Sequence, residues 1–154
     1  MHIFLTGSSG FIGKHFLQYA LSSGAKLTTV NRRKISKISD NHIVIQKNLL
    51  EVNYKDLEGI DVVVNLASPG VSPKKAPFSE LFEINIMSSV NLMKHSKKAG
   101  VSRFICTGTA YEYGKEAEKI DRIPPDYPLK PICDNAESKE EAVYILNKLA
   151  IETG

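Results

Sequence analysis

The chain has 154 residues, enough for one domain with a real hydrophobic core. Its charge is mixed and nets only +3, and no basic tract stands out beyond Asn31-Arg32-Arg33-Lys34 and Lys97-Lys98, which is too little for a nucleic-acid footprint. No apolar run reaches the roughly 20 residues of a membrane span, and no charged-then-apolar leader with a small-residue cleavage site opens the chain. Neither nucleic acid nor a membrane is expected as a partner, and the expected location is the cytoplasm.

The first thirteen residues organise the rest. Ile3-Phe4-Leu5 reads as a short buried strand, and Thr6-Gly7-Ser8-Ser9-Gly10 as a tight turn. Phe11 and Ile12 are followed, beyond Gly13, by apolar Phe16, Leu17, Ala20 and Leu21 at helical spacing. A helix that begins straight after a glycine turn leaves backbone N–H groups unpaired and carries a partial positive charge, which suits a phosphate. Gly7 can take turn dihedrals that a Cβ would disfavour. Gly10 lets the backbone approach a pyrophosphate, and Gly13 lets the helix sit close on the strand.

The spacing Gly-x-x-Gly-x-x-Gly after a threonine differs from the Gly-x-Gly-x-x-Gly dehydrogenase fingerprint. Thr6-Gly7-Ser8-Ser9-Gly10-Phe11-Ile12-Gly13 resembles the short-chain dehydrogenase/reductase superfamily. It is most similar to the extended branch, the NAD-dependent epimerase/dehydratase family acting on nucleotide sugars, and the likeness runs the length of the chain. The resemblance implies a Rossmann-like α/β domain, a doubly wound parallel sheet of five strands in the order 3-2-1-4-5. It sets Gly7, Ser9, Gly10, Phe11, Ile12 and Gly13 against a dinucleotide, and it is compatible with a homodimer.

Gly24 is placed to end the first helix as its C′ residue. Residues 26–30 form the second strand, which delivers Asn31, Arg32 and Arg33 to its C-terminal end. An acidic residue there would bind the adenosine ribose hydroxyls, and an arginine would favour a 2′-phosphate. Asn31 is not acidic, and either arginine can clamp a phosphate in a planar fork. A solvated basic turn is the plainer alternative. The expectation is NADP(H), with NAD also compatible.

Ile43-Val44-Ile45 is the third strand, followed by Asn48-Leu49, where the family usually holds an aspartate that contacts the adenine. A short helix is expected at 54–57. Residues 61–65 form the fourth strand, and its β-branched run fits burial on both faces of a parallel sheet. Asn65-Leu66-Ala67-Ser68 resembles the family's His-Leu-Ala-Ala stretch, which implies that Leu66, Ala67 and Ser68 pass under the cofactor. Residues 69–77 read as an exposed loop, and 78–99 as one long helix. Within that helix Asn85-Ile-Met-Ser-Ser89-Val-Asn91-Leu92 resembles the family's Asn-x-x-x-Thr-x-Asn-Leu, whose first Asn orders the active-site floor; that role is carried onto Asn85.

Residues 103–107 form the fifth strand, with Cys106 in a buried position. Thr107-Gly108-Thr109-Ala110-Tyr111-Glu112-Tyr113-Gly114 resembles the family's Ser-Ser-Ser-x-x-x-Tyr-Gly exit loop. Thr107 then lies beside the cofactor, and Thr109 takes the place of the catalytic hydroxyl that hydrogen-bonds a substrate carbonyl or alkoxide. Residues 116–130, charged and rich in proline, read as loop. Cys106 and Cys133 lie in unrelated contexts and read as free thiols, and the four histidines offer no metal-ligand spacing.

The family's next feature is Tyr-x-x-x-Lys on a helix, with the lysine one turn after the tyrosine lowering its pKa and holding the ribose. Here residues 131–142 match around Ser138-Lys139, and the tyrosine position holds Asn135, which cannot exchange a proton near neutral pH. A second register, Tyr144 with Lys148, has the same spacing. It needs about ten extra residues after Thr109 and sets Tyr144 among ordinary packing positions. The chain ends at Gly154, where the family's next strand begins, so the expectation is a cofactor half, 1–154, without a substrate domain: a fragment of a longer protein or a truncated reading frame. Three outcomes stay open, namely a nucleotide-sugar oxidoreductase, epimerase or dehydratase impaired by Asn135, a non-catalytic dinucleotide-binding module, and a relic.

Overall fold

The computed structural model describes residues 1–70 and 75–152. Five parallel strands, β1 (His2–Thr6), β2 (Lys26–Asn31), β3 (His42–Gln46), β4 (Val62–Asn65) and β5 (Arg103–Cys106), form one sheet in the order β3-β2-β1-β4-β5. The five-stranded order expected from the resemblance is the observed one. The order reverses direction at β1, so the C-terminal ends of β1 and β4 open the crevice where such sheets bind ligands.

Alternation along β1 fixes both layers. Ile3 and Leu5 pack with Leu17 and Ala20 of α1 (Phe11–Ser22), and Phe4 packs on the opposite face with Val63 and Leu92. Phe4, Leu5, Leu27 and Val63 are fully buried, each worth roughly 1.5–3 kcal/mol of transfer free energy. The opposite face is covered by α3 (Ser88–Lys98) and by two 3-10 turns, Leu49–Glu51 and Tyr54–Leu57. Asn91 fastens helix to turn by donating to the carbonyls of Leu50 and Val52, 3.3 Å each. α4 (Asp134–Glu152) then packs beside α3.

Three details depart from expectation. The helix expected over 78–99 is α2 (Phe78–Leu81), a π-helical segment (Phe82–Met87) and α3. The Ser88 hydroxyl donates to the Ile84 carbonyl inside that stretch, and an apolar repeat near 3.6 does not register one widened turn. The charged stretch after Gly114 holds a 3-10 helix, Lys115–Lys119. Cys106 is half-buried, because β5 is the outermost strand of the sheet. Of the loop expected at 69–77, residues 71–74 lie outside the described residues.

Candidate functional site

The exit of β1 is built backbone against backbone. Gly7 has φ +68°, and a Cβ there would stand 2.7 Å from the Leu66 carbonyl group. A Cβ on Gly13 would stand 2.1 Å from the Gly7 oxygen, so the helix rests on the turn itself. Gly10 is different: a Cβ would meet only the Gly7 oxygen, at 3.2 Å. Gly10 is also the N-cap of α1, with no side-chain cap and no acidic residue in the first turn. The helix's first N–H groups are therefore left for an anion.

A cleft of about 230 Å³ opens there. Of the residues expected at a cofactor, Gly7, Ser9, Gly10, Asn31, Arg32, Asn48, Leu49, Leu66, Ala67 and Ser68 line it. Arg33 is exposed and does not line it, and Phe11 and Ile12 stand outside, 83% and 63% exposed at the helix start. Gly13 lies beneath, Thr107 and Lys139 line a second, smaller cavity with Asn85, and Tyr144 lines neither.

Asn31 is buried and turned inward. Its Oδ1 accepts from the Ser8 hydroxyl at 3.0 Å and its Nδ2 donates to Thr29 Oγ1 at 3.3 Å. Thr29 Oγ1 also meets Nε2 of the fully buried His42, 2.9 Å, and His42 Nδ1 accepts from the Ile38 N–H at 3.2 Å. Neither Arg32 nor Arg33 has a carboxylate partner among the described residues, and of the two only Arg32 lines the cleft. Lys47, which sequence reasoning passed over, also lines the cleft, but Asp56 holds its ammonium at 2.7 and 2.8 Å. Its signal was its place directly after β3. Thr6 was missed as well: its hydroxyl donates to Asn65 Oδ1 at 2.6 Å and accepts from the N–H groups of Leu66 and Ala67, which fixes the strand exits together.

The other end of the site is assembled from the β5 exit and α4. Thr109 caps a 3-10 turn, Ala110–Tyr113: its Oγ1 accepts from the Tyr111 N–H at 3.4 Å, while Glu112 Oε1 accepts from the Thr109 N–H at 2.8 Å. The pattern Thr-x-x-Glu announces this capping box in the sequence, yet Glu112 was not among the expected site residues. Lys139 donates to the Thr107 carbonyl at 2.9 Å. Burial lowers the Lys139 ammonium below its ordinary value, and the charges of Cys106 and Glu112 oppose that shift. Burial raises the Cys106 thiol and the Glu112 carboxyl, with Lys139 opposing both.

Asn135 lies one turn before Lys139, and its Nδ2 donates to the Pro69 carbonyl at 3.0 Å, tying α4 to the β4 exit loop. Asn85 Nδ2 donates to Ser138 Oγ at 2.8 Å. Among the described residues its buried Oδ1 has no hydrogen-bond partner, and Asn85 lines the small cavity between β5 and α4. Tyr144 is 60% exposed on the outer side of α4, with Lys148 5.4 Å over its ring. The structure brings Thr107, Lys139 and Asn85 together and leaves Tyr144 outside, because Ala136, Ser138, Ala142 and Leu146 form the inward face of the helix. Among the described residues no group of three His, Cys, Asp or Glu could hold a metal ion, and no helix is long and apolar enough to cross a membrane.

A family model described as the NAD dependent epimerase/dehydratase family matches residues 3–153. The chain is 25% identical to CDP-abequose synthase of Yersinia pseudotuberculosis, over 81% of this chain and 45% of the relative. It is 29% identical to the human sterol-4-alpha-carboxylate 3-dehydrogenase, decarboxylating, over 86% of this chain and 36% of the relative. Among solved structures, MoeE5 in complex with UDP-glucose and NAD superposes with a TM-score of 0.81 at 28% identity, covering 95% of this chain and 48% of that one. The chain spans less than half the length of these relatives.

Proposed function

The chain belongs to the NAD dependent epimerase/dehydratase family, and from that premise we propose that it is the cofactor portion of a nucleotide-sugar epimerase, dehydratase or reductase, that it prefers NADP(H) to NAD(H), and that its proton transfer is impaired. The observation that carries the binding half is the uncapped N-terminus of α1, opening into a cleft whose β2 exit presents Arg32. The first N–H groups of α1 would hold a pyrophosphate, and the Arg32 fork a 2′-phosphate. A bound nicotinamide supplies hydride transfer. The Thr109 hydroxyl is available to donate to a substrate oxygen, and the Lys139 ammonium to hold a ribose. Asn135 can move no proton, and its amide is already spent on the Pro69 carbonyl. That same bond favours a second reading, a dinucleotide-binding module without catalysis. A cytoplasmic setting, supported by the exposed free thiol of Cys133, is part of the proposal.

Calorimetric titration with both cofactors tests the binding half. NADPH should bind roughly 10–100-fold more tightly than NADH, the worth of a charge-assisted bond to one phosphate. Arg32→Asp should reverse the order, and Arg33→Ala should matter less. Equal affinities would remove the arginine from the argument. For chemistry, Asn135→Tyr in the longest reading frame that contains the chain should raise nucleotide-sugar turnover by about 10²–10⁴-fold. No gain would favour the non-catalytic module.

A further inference from the structure

The proposed function leaves unused a run of buried polar side chains behind the cleft. Ser8 in the β1 turn, Thr29 and Asn31 on β2 and His42 on β3 are all buried, Thr29 and His42 completely. The Ile38 N–H donates to His42 Nδ1 at 3.2 Å, so that nitrogen carries no proton and the neutral ring carries its proton on Nε2. His42 Nε2 therefore donates to Thr29 Oγ1, at 2.9 Å. The same oxygen accepts from Asn31 Nδ2 at 3.3 Å, so two donors meet its two lone pairs. At the other end Asn31 Oδ1 accepts from the Ser8 hydroxyl at 3.0 Å. Both ends of the Asn31 carboxamide are thus engaged on residues that do not line the cleft, although Asn31 itself does.

The backbone of Asn31 is held independently. It pairs with Gln46 across β2 and β3, and its carbonyl accepts from the Lys47 N–H at 3.1 Å. Rotation about the side-chain bonds alone would therefore carry the carboxamide into the cleft, beside Arg32. A carboxamide both donates and accepts, and so does a ribose 2′-hydroxyl, whereas a 2′-phosphate only accepts and is the larger group. An outward Asn31 would pair with the hydroxyl and would fill the room that a phosphate on Arg32 needs. An inward one does neither. We propose that Thr29, oriented by His42, is a specificity-determining positioning residue: it keeps the Asn31 carboxamide turned away from the adenosine ribose and leaves Arg32 to choose the cofactor. Thr29 touches no ligand and acts only through Asn31. The proposal rests on the dinucleotide reading of the cleft.

The test is calorimetric titration of the intact chain with NADPH and with NADH, read as the ratio of the two affinities, because a loss of fold lowers both. Thr29→Val removes the hydroxyl at nearly constant shape. NADH should then bind about 3–10-fold more tightly, the contribution of one neutral hydrogen bond, and the NADPH-to-NADH ratio should fall by at least that factor. Thr29→Ser keeps the hydroxyl and should restore the ratio. In an Asn31→Ala background Thr29→Val should no longer move it. A measurement without ligand reads the hold directly. Solvent exchange of the Asn31 side-chain amide protons, followed by NMR and assigned with Asn31→Ala, should quicken in Thr29→Val and in His42→Phe. If both cofactors bind and the ratio ignores Thr29→Val, or moves equally in the Asn31→Ala background, the proposal falls and the dinucleotide reading stands. Exchange that does not quicken in Thr29→Val also overturns the proposal. If neither cofactor binds the unaltered chain, the dinucleotide reading falls and takes the proposal with it.

Discussion

Gly13 and Gly108 both follow strand exits, and different things hold them to glycine. A Cβ at 13 would collide with the backbone of the β1 turn at 2.1 Å; a Cβ at 108 would first meet the end of one carboxylate, at 3.0 Å. The first constraint is written in main-chain geometry, which no neighbouring side chain can relieve. The second exists only as long as Glu112 does. The same contrast separates the two ends of the site. The β1 turn keeps the family's glycines intact, whereas the β5 exit and α4 carry Gly108 and Asn135 in place of the expected serine and tyrosine. A phosphate-holding turn is fixed by shape, and proton-transfer machinery by side chains that can be exchanged while the fold stays.

The largest effect should come from Gly13→Ala. The clash is with backbone, so the cost should reach about 3 kcal/mol or more, enough to lower the melting temperature by roughly 6–12 °C or prevent folding. Gly108→Ala should stay within about 1 kcal/mol. Comparable melting losses in both variants would erase the distinction. Next is Gly10→Val, which sharpens it within the turn itself. Because a Cβ at Gly10 meets a single backbone atom, the Gly7 oxygen at 3.2 Å, the melting curve should change little while dinucleotide affinity falls at least about tenfold, roughly 1.4 kcal/mol.

Much of the β1 end was legible because glycine spacing, strand and helix periodicity all encode backbone geometry. The strand order and ten of the cleft residues between Gly7 and Ser68 could be named before any coordinates, though Lys47 could not. Asn31 was legible as a non-acid, but its inward turn was not, since that depends on Ser8, in the turn after β1, as well as on Thr29 two residues back on the same strand. The π segment was invisible because one widened turn hardly disturbs an apolar repeat. Glu112 had a local signal, the capping box after Thr109, yet the packing of its turn against α4 is a long-range contact that no spacing shows.

His42 adds a pH dependence to the β2–β3 side. Its folded value lies below the ordinary 6.5, first from burial and then from Lys37, so the unfolded chain takes up the proton first. Stability is therefore fully present above pH 6.5 and is lost as the pH falls from there through the folded value. His2 is lowered in the same direction, by burial first and then Lys26. Glu112 slopes the other way, since its folded value is raised above 4.5 and its stabilising share fades as the pH rises through that value. Chemical denaturation from pH 5 to 8 should show midpoints falling below 6.5, and His42→Gln should flatten the curve by removing one of the two histidines. An unflattened curve would hand the effect to His2.

The smallest effects lie on α4 and bear on which residue stands where a tyrosine is expected. Asn135 is half-buried and holds the Pro69 carbonyl, so Asn135→Ala should cost about 1 kcal/mol, a drop of about 2–4 °C. Tyr144 is exposed, and Lys148 approaches its ring face at 5.4 Å. Removing the hydroxyl keeps the ring and that contact, so Tyr144→Phe should stay within about 0.5 kcal/mol. It should also leave NADPH affinity unchanged, because the residue borders neither cavity. Both measurements are needed, since a surface tyrosine that took part in chemistry would also leave the melt untouched. If Tyr144→Phe removed a turnover that Asn135→Ala left alone, at equal stability, the proton-transfer group would be Tyr144 in the second register.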